Sequence, residues 1–260
     1  MTRIDKVLVE QNFFPTRSKA SQAIADKIVS YQGKIVTKAS IDISDPSQLS
    51  IIGEKMPYVS RGGLKLEKAL HIFQIDLKDK IVLDIGSSTG GFSDCALQHG
   101  AQHIIAIDTG TDQMDPLLRQ DKRISLFEKT DFRTFSQKDM SKAQIAMIDI
   151  SFLSVTKILN KLETLTNLQG IICLIKPQFE CGKEIADKYK GVVLNQQVHR
   201  DILTNLILAF QQKGFCIQGL TFSPITGGSG NIEYLAYFTH QAAVPIDIQQ
   251  EVQQAFQKLR

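Results

Sequence analysis

Lys80-Ile81-Val82-Leu83-Asp84-Ile85-Gly86-Ser87-Ser88-Thr89-Gly90-Gly91-Phe92 is the stretch that decides the fold. Its first half is a short apolar run closed by a carboxylate, the pattern of a strand buried on both faces. A glycine-rich turn follows, and then a helical pattern through Cys95, Ala96 and Leu97. Glycine lets a backbone adopt φ > 0 and approach a ligand closely. The helix N-terminus beyond it offers N–H groups that no helical carbonyl satisfies. Strand, glycine turn and helix in that order make a ligand loop.

Outward from this unit, short apolar runs alternate with helical patterns. The spacing predicts strands at 80–85, 103–108, 124–128, 144–149, 170–176, 215–222 and 233–239. It predicts helices at 91–99, 154–166 and 196–213, preceded by a helix Leu64–Phe73. Such alternation implies an α/β protein with a Rossmann-like, seven-stranded, doubly wound sheet and helices on both faces. Residues 241–260 are glutamine-rich, with Ile246, Ile248, Val252, Phe256 and Leu259 near helical spacing, so the tail reads as a terminal helix. With 260 residues, 43% of them apolar, the chain can bury a sizeable core. No window approaches 18 uninterrupted apolar residues, which argues against a membrane span. Arg3, Asp5, Lys6 and Glu10 interrupt the region where a secretory signal needs an apolar core. Cys95, Cys173, Cys181 and Cys216 form no C-x-x-C pair, so neither a metal site nor a disulfide framework is indicated, and a reducing cytoplasm fits.

Two ligand classes use a glycine loop after a first strand: dinucleotides and S-adenosylmethionine. The dinucleotide fingerprint is G-x-G-x-x-G. Here the loop reads G-x-x-x-G-G, with Ser88 where the second glycine would lie beneath a pyrophosphate. Asp84 before the first glycine would repel a pyrophosphate but suits the ammonium of S-adenosylmethionine. The candidate cofactor residues are therefore Asp84, Gly86, Ser87, Ser88, Thr89, Gly90, Gly91 and Phe92. Asp108, at the end of the next strand, can accept both ribose hydroxyls. Asp131, after the third strand, is placed to meet the adenine amino group.

Charged residues recur at the later strand ends. Asp149 follows Ile145–Ile148, Lys176 follows Ile171–Ile175, and Glu233 opens the last strand after Gly227-Gly228-Ser229-Gly230-Asn231. If that last strand runs antiparallel, all three converge where open α/β sheets bind ligands. Lys65, on the helix before the first strand, would complete a Lys–Asp–Lys–Glu cluster. A ribose hydroxyl is a weak nucleophile, and a lysine among such neighbours can serve as its base. Asp149-Ile150-Ser151-Phe152 lacks the Asn/Asp-Pro-Pro-Tyr/Phe pattern of amino methyltransferases, which argues against methylation of a base nitrogen.

The first 40 residues carry seven basic against three acidic side chains, while the other 220 are close to neutral. This asymmetry suggests a polyanion-binding attachment. Apolar positions at Ile4, Val7 and Leu8, the break at Pro15-Thr16, and Ala20, Ala23 and Ile24 predict two short helices, with Thr16 or Ser18 capping the second. A hairpin turning near Gln32-Gly33 and a strand near Leu49–Ile52 complete a small α+β unit. The unit resembles the alpha-L RNA-binding domain of a small-subunit ribosomal protein, on Arg3–Leu8, Thr16–Ala20 and Gln32-Gly33-Lys34. That family has glycine where Asp26-Lys27 stand here and asparagine at Gln32. The resemblance implies RNA contacts from Arg3, Lys6, Arg17, Ser18, Lys19, Lys34 and, beyond the unit, Arg61.

Across about residues 1–240 the chain resembles the TlyA family. The matching motifs are Tyr58-Val59-Ser60-Arg61-Gly62-Gly63-Leu64-Lys65-Leu66, Asp84–Phe92, Asp149–Phe152, Lys176-Pro177-Gln178-Phe179-Glu180, Ser223-Pro224-Ile225 and Gly230–Leu235. The resemblance implies an S-adenosylmethionine-dependent ribose 2′-O-methyltransferase acting on cytidine of ribosomal RNA or ribosomal subunits, with Lys65, Asp149, Lys176 and Glu233 as its catalytic set. It also implies an organisation of 1–57 as RNA-binding domain, 58–63 as linker, 64–240 as methyltransferase domain and 241–260 as tail. One departure stands out: the family usually has Val-Val-Arg-Asp where Val192-Val193-Leu194-Asn195 precede His199. A membrane-lytic protein, as the family's haemolysin label suggests, would call for a long apolar segment or a strongly basic amphipathic helix, and neither is present. A non-catalytic RNA-binding protein would not need four charges at the strand ends.

Overall fold

The computed structural model describes residues 2–14, 16–25, 27–52, 56–136 and 138–260. Pro15, read above as a break between the helices, and Asp26, which with Lys27 stands where the resembled family has glycine, lie outside the described residues. The chain divides into two compact units, 1–56 and 57–260.

In the first unit, helices Ile4–Glu10 and Arg17–Ala25 pack over a core of Ile4, Val7, Leu8, Ala20, Ala23, Ile24 and Val29. Thr16 is the residue that caps the second helix, its hydroxyl accepting from Lys19 N at 3.2 Å. Strand Val29–Tyr31 lies between Lys34–Ile35 and Leu49–Ile51, antiparallel to both. Gln32 and Gly33 both have positive φ (51° and 73°), as a two-residue hairpin turn requires. Glutamine in place of asparagine therefore bears some strain without preventing the hairpin.

In the second unit the elements run α1 Gly62–Phe73, β1 Ile81–Ile85, α2 Gly91–Gln98, β2 His103–Ile107, β3 Ile124–Phe127, β4 Ile145–Ile148, β5 Gly170–Ile175, α3 Gln196–Gln211, β6 Cys216–Phe222, β7 Tyr234–Thr239 and α4 Ile248–Leu259. Short helical turns lie between several of them. The seven strands form one sheet in the order β6-β7-β5-β4-β1-β2-β3. All neighbours are parallel except β7, which is antiparallel to both β5 and β6. Side chains alternate across the sheet with period two. Leu83, Ile85, Ile105, Ile148, Ile171 and Cys173 face one way, toward Leu203, Leu206 and Phe210 of α3 and Val252 of α4. Val82, Ile104, Met147, Ile172 and Leu174 face the other way, toward Leu66 and Leu70 of α1 and Phe92 and Cys95 of α2. Burying each large aliphatic side chain contributes about 1.5–3 kcal/mol, so the sheet interior holds the unit together.

Three readings need correction. The span 154–166 is not one helix but a tight turn Val155–Ile158 followed by Leu159–Glu163. β-Branched Val155 and Thr156 open it and Thr164 and Thr166 end it, so helix propensity is low at both ends. Residues 58–63 are not a loose linker, because Tyr58 is buried and donates to Glu67 at 2.8 Å, and Val59 N donates to Asp94 at 2.7 Å. Helix α1 already begins at Gly62, two residues earlier than its apolar pattern. Asn195 departs from the family's aspartate yet caps α3 equally well, its side-chain oxygen accepting from Gln197 N and Val198 N at 2.8 and 3.2 Å.

Candidate active site

The glycine loop is wedged between β1 and α2. Gly86 N and Ser87 N donate to Ile107 O at 2.8 and 3.2 Å, which turns the chain away from the sheet. Gly86 has φ +87°, and a Cβ there would come 2.7 Å from Asp149 O. Only glycine lets β1 and β4 end side by side at this point. An open cleft of about 570 Å³, ordinary for a small-molecule site, lies above. Gly86, Ser88, Asp108, Asp131, Asp149, Ser151 and Phe152 are among its lining residues.

Asp108 is held rigidly, its two oxygens accepting from Ser88 N at 2.8 Å and Gly110 N at 2.6 Å. Asp84 lies fully buried beneath the loop, with one oxygen accepting from Ser93 at 2.6 Å. Among the described residues its other oxygen has no partner, nor has the buried Ser87 hydroxyl. Burial, chiefly, pushes the Asp84 carboxyl up to about 7; Ser93 opposes this, and Asp149 and Asp108 add to it. Thr89 is exposed at the loop tip. The remaining loop candidates play a packing part. Phe92, on α2, is buried in the core, while Gly90 and Gly91 give way to Leu118 and to the Ser60 hydroxyl and the Gly62-Gly63 backbone. Asp131 reaches the cleft with its carboxylate already taken by the Arg133 guanidinium at 2.5 Å, so the expected adenine contact competes with an ion pair.

The strand-end charges do converge. In the β5–β7 register Ile175 is opposite Tyr234, so Lys176 and Glu233 emerge together at the C-terminal edge of the parallel strands. Lys65 pairs with Glu233 at 2.5 Å and Lys176 with Asp149 at 2.6 Å. All but Asp149 keep side-chain exposures of 12% or less, so these pairs work in a weakly screened environment. Burial raises the Asp149 carboxyl; Lys176 and Lys65 oppose this and Glu233 reinforces it, which puts all four charges within one field. Gln178 Nε2 donates to Glu233 at 3.5 Å. A Cβ at Gly227 would come 2.5 Å from Glu233 Oε1, so a larger residue there would have to push this carboxylate aside.

The start of β7 is fixed from behind. His199 is fully buried between Tyr234 OH at 2.8 Å and Val193 O at 3.0 Å. A carbonyl only accepts, so His199 Nε2 carries the proton and Nδ1 accepts from Tyr234. Burial lowers this imidazole to about 4, which keeps it neutral near pH 7. Asn231 accepts from Val193 N at 3.0 Å and donates to Gly191 O at 2.7 Å. Several site neighbours were visible in sequence only as members of a motif. Ser151 accepts from Lys176 at 2.8 Å, Phe152 stands 90% exposed beside the cleft, and Glu180 holds Ser154 and Val155.

In the N-terminal unit, Arg3 and Arg17 both donate to Asp5, at 3.0 and 2.7 Å. Burial alone would raise the Asp5 carboxyl, but the two guanidiniums hold it below its ordinary value. Arg3 and Arg17, expected to contact RNA, thus each already have an internal carboxylate partner. Each still keeps about half its side chain in solvent. Lys6 pairs with Glu10 at 3.6 Å on the surface. Ser18 and Lys34 are exposed, Lys19 half-buried on the second helix, and Arg61, in the other unit, half-buried at the start of α1.

FtsJ-like methyltransferases match residues 58–240, and the S4 domain matches residues 2–45. A Bacillus subtilis protein, YqxC, described as a candidate rRNA methyltransferase, is 46% identical over 90% of this chain and 84% of its own length. The 23S rRNA (cytidine-2′-O)-methyltransferase TlyA of Campylobacter jejuni is 35% identical, covering 86% of this chain and 94% of its own. A solved structure from Streptococcus thermophilus, described as a candidate hemolysin, superimposes with a TM-score of 0.76 at 38% identity, over 99% of this chain and 96% of that one. No helix among the described residues is long and apolar enough to cross a membrane. The chain therefore belongs to the TlyA family of FtsJ-like methyltransferases that carry an N-terminal S4 domain.

Proposed function

We propose that this protein transfers a methyl group from S-adenosylmethionine to a ribose 2′-hydroxyl of ribosomal RNA, with cytidine as the target nucleoside. One observation carries the reading: two lysine–carboxylate pairs, Lys176–Asp149 and Lys65–Glu233, stand together at the strand ends beside the glycine-loop cleft. The residues present fit the cofactor. The unpartnered Asp84 oxygen and Ser87 hydroxyl provide negative potential and polar capacity under the loop for an ammonium. Asp108, fixed by two backbone N–H groups, is oriented for a ribose diol. When bound, S-adenosylmethionine supplies a methyl carbon on a positively charged sulfur.

The chain's own residues then have defined tasks. Lys176, in its neutral amine form, would take the proton of the 2′-hydroxyl as that oxygen accepts the methyl group, and the cofactor's sulfur would keep the electron pair of the bond it loses. Asp149 holds the Lys176 Nζ in place and stabilises the ammonium that forms. Lys65, steered by Glu233, offers positive charge to the developing alkoxide. Such preorganised charge is worth most where water is excluded, as the low exposure of these side chains provides. The basic N-terminal unit brings the RNA, and ribosomal RNA as substrate assigns the work to the cytoplasm. Lys176→Ala should abolish transfer to ribosomal subunits while the protein stays folded and still binds the cofactor. Methyl transfer at the wild-type rate by that variant would overturn the proposed chemistry.

A further inference from the structure

Lys176 has a second side-chain partner that no strand-end argument anticipates. Its Nζ donates to Ser151 Oγ at 2.8 Å as well as pairing with Asp149 at 2.6 Å. Ser151 is an exposed residue of the cleft wall, so packing does not explain where it sits.

The loop that carries it is built, not incidental. Three successive contacts stitch residues 151–155 to the segment that follows β5. Ser151 meets Lys176, the Phe152 ring lies 5.0 Å from that of Phe179, and Glu180 accepts from Ser154 Oγ at 2.6 Å and Val155 N at 2.9 Å. Between these contacts Phe152 is held at φ +63°, a left-handed conformation that costs an aromatic residue free energy. A loop that keeps such a residue in place is over-determined by its neighbours. The position of the Ser151 hydroxyl is therefore set by the same stitching.

We infer that Ser151 is a positioning residue for methyl transfer, acting through Lys176, and the inference rests on the role given above to that lysine. A lysine head group hangs on a flexible four-carbon stem. Asp149 holds it from one side only, through its carboxylate at 2.6 Å and its backbone carbonyl at 3.5 Å. A second partner fixes its direction toward the cleft. A hydroxyl suits this task because it orients Nζ without adding charge. A second carboxylate would favour the ammonium and oppose the lysine's use as a base. Ser151 does not touch the reacting atoms in this scheme.

The test compares wild type, Ser151→Ala, Ser151→Thr and Lys176→Ala as full-length proteins on ribosomal subunits. Single-turnover rate and S-adenosylmethionine affinity are read separately. Ser151→Ala should slow methyl transfer about 10- to 100-fold, the effect of losing one charge-assisted hydrogen bond. Cofactor affinity should stay within about three-fold, so the loss is in the rate and not in binding. Ser151→Thr keeps the hydroxyl and should recover most of the rate. Ser151→Ala at wild-type rate with an inactive Lys176→Ala would overturn the inference and leave the proposed function standing. Equal slowing by alanine and threonine would also overturn it, since the hydroxyl would then not be the active feature. An active Lys176→Ala would instead overturn the function on which the inference rests.

Discussion

Replacing Asp84 by asparagine should make the ligand-free protein more heat-stable near pH 8 while weakening its hold on S-adenosylmethionine. Burial pushes this carboxyl from 3.8 up to about 7, with one oxygen left unpartnered. Between those two values the folded protein holds a proton that the unfolded chain releases. The stability this group contributes is therefore full below 3.8 and is lost as pH rises through about 7. At about 1.4 kcal/mol per pH unit, the ceiling on that loss is on the order of 4 kcal/mol. Asparagine removes it but places an unsatisfied N–H donor in the same buried spot, at about 1–3 kcal/mol. The variant should thus be roughly 1–3 kcal/mol more stable than wild type at about pH 8, and the gain should shrink to within about 1 kcal/mol of zero at about pH 5. Binding should go the other way, because an ammonium prefers the ionised carboxylate. Wild-type affinity should tighten through pH 7, by up to about 30-fold from about pH 5.5, and the variant should be weak and flat. Urea unfolding at the two pH values and titration calorimetry across the range check both halves. Wild-type affinity that is flat with pH, or full affinity in the variant, would refute the reasoning.

Two other perturbations follow from the geometry. Gly86→Ala would force a Cβ 2.7 Å from Asp149 O at φ +87°, costing about 2–4 kcal/mol by urea unfolding and displacing Asp149 from Lys176, so transfer should be lost. Asp5→Ala should release the Arg3 and Arg17 guanidiniums; the N-terminal unit loses about 1–2 kcal/mol, and the salt dependence of ribosomal RNA binding steepens by about one to two phosphate contacts. An unchanged salt slope would place those arginines away from the RNA backbone.

Much of this was legible because it rests on local pattern. The alternation of Leu83 and Ile85 with Val82 and Asp84 marks a strand covered on both faces, and the glycines after it mark the loop. Asp149, Lys176 and Glu233 could be placed because each abuts an apolar run, and the antiparallel β7 brings the last to the others. What pattern does not encode is direction. Asp5 looks like any acidic residue in sequence, yet it is buried and gathers two arginines from either side of a turn. Ser151 is one small polar residue in a motif, and only the folded loop aims it at Lys176. Tyr58 and Val59 read as linker because the contacts that fix them, Glu67 and Asp94, come from later helices. The broken helix after Ser154 shows a third limit, where weak propensities over 155–166 let tertiary packing decide.

The central claim is that Lys176 serves methyl transfer to a ribose hydroxyl of ribosomal RNA. The most direct measurement is mass spectrometry of nucleosides from ribosomal RNA in cells lacking this protein, complemented with the wild type or with Lys176→Ala. A 2′-O-methylated cytidine that returns with the wild type and stays absent with the variant is the predicted result. A methyl group on the base instead of the ribose, or ribose methylation restored equally by the variant, would contradict it.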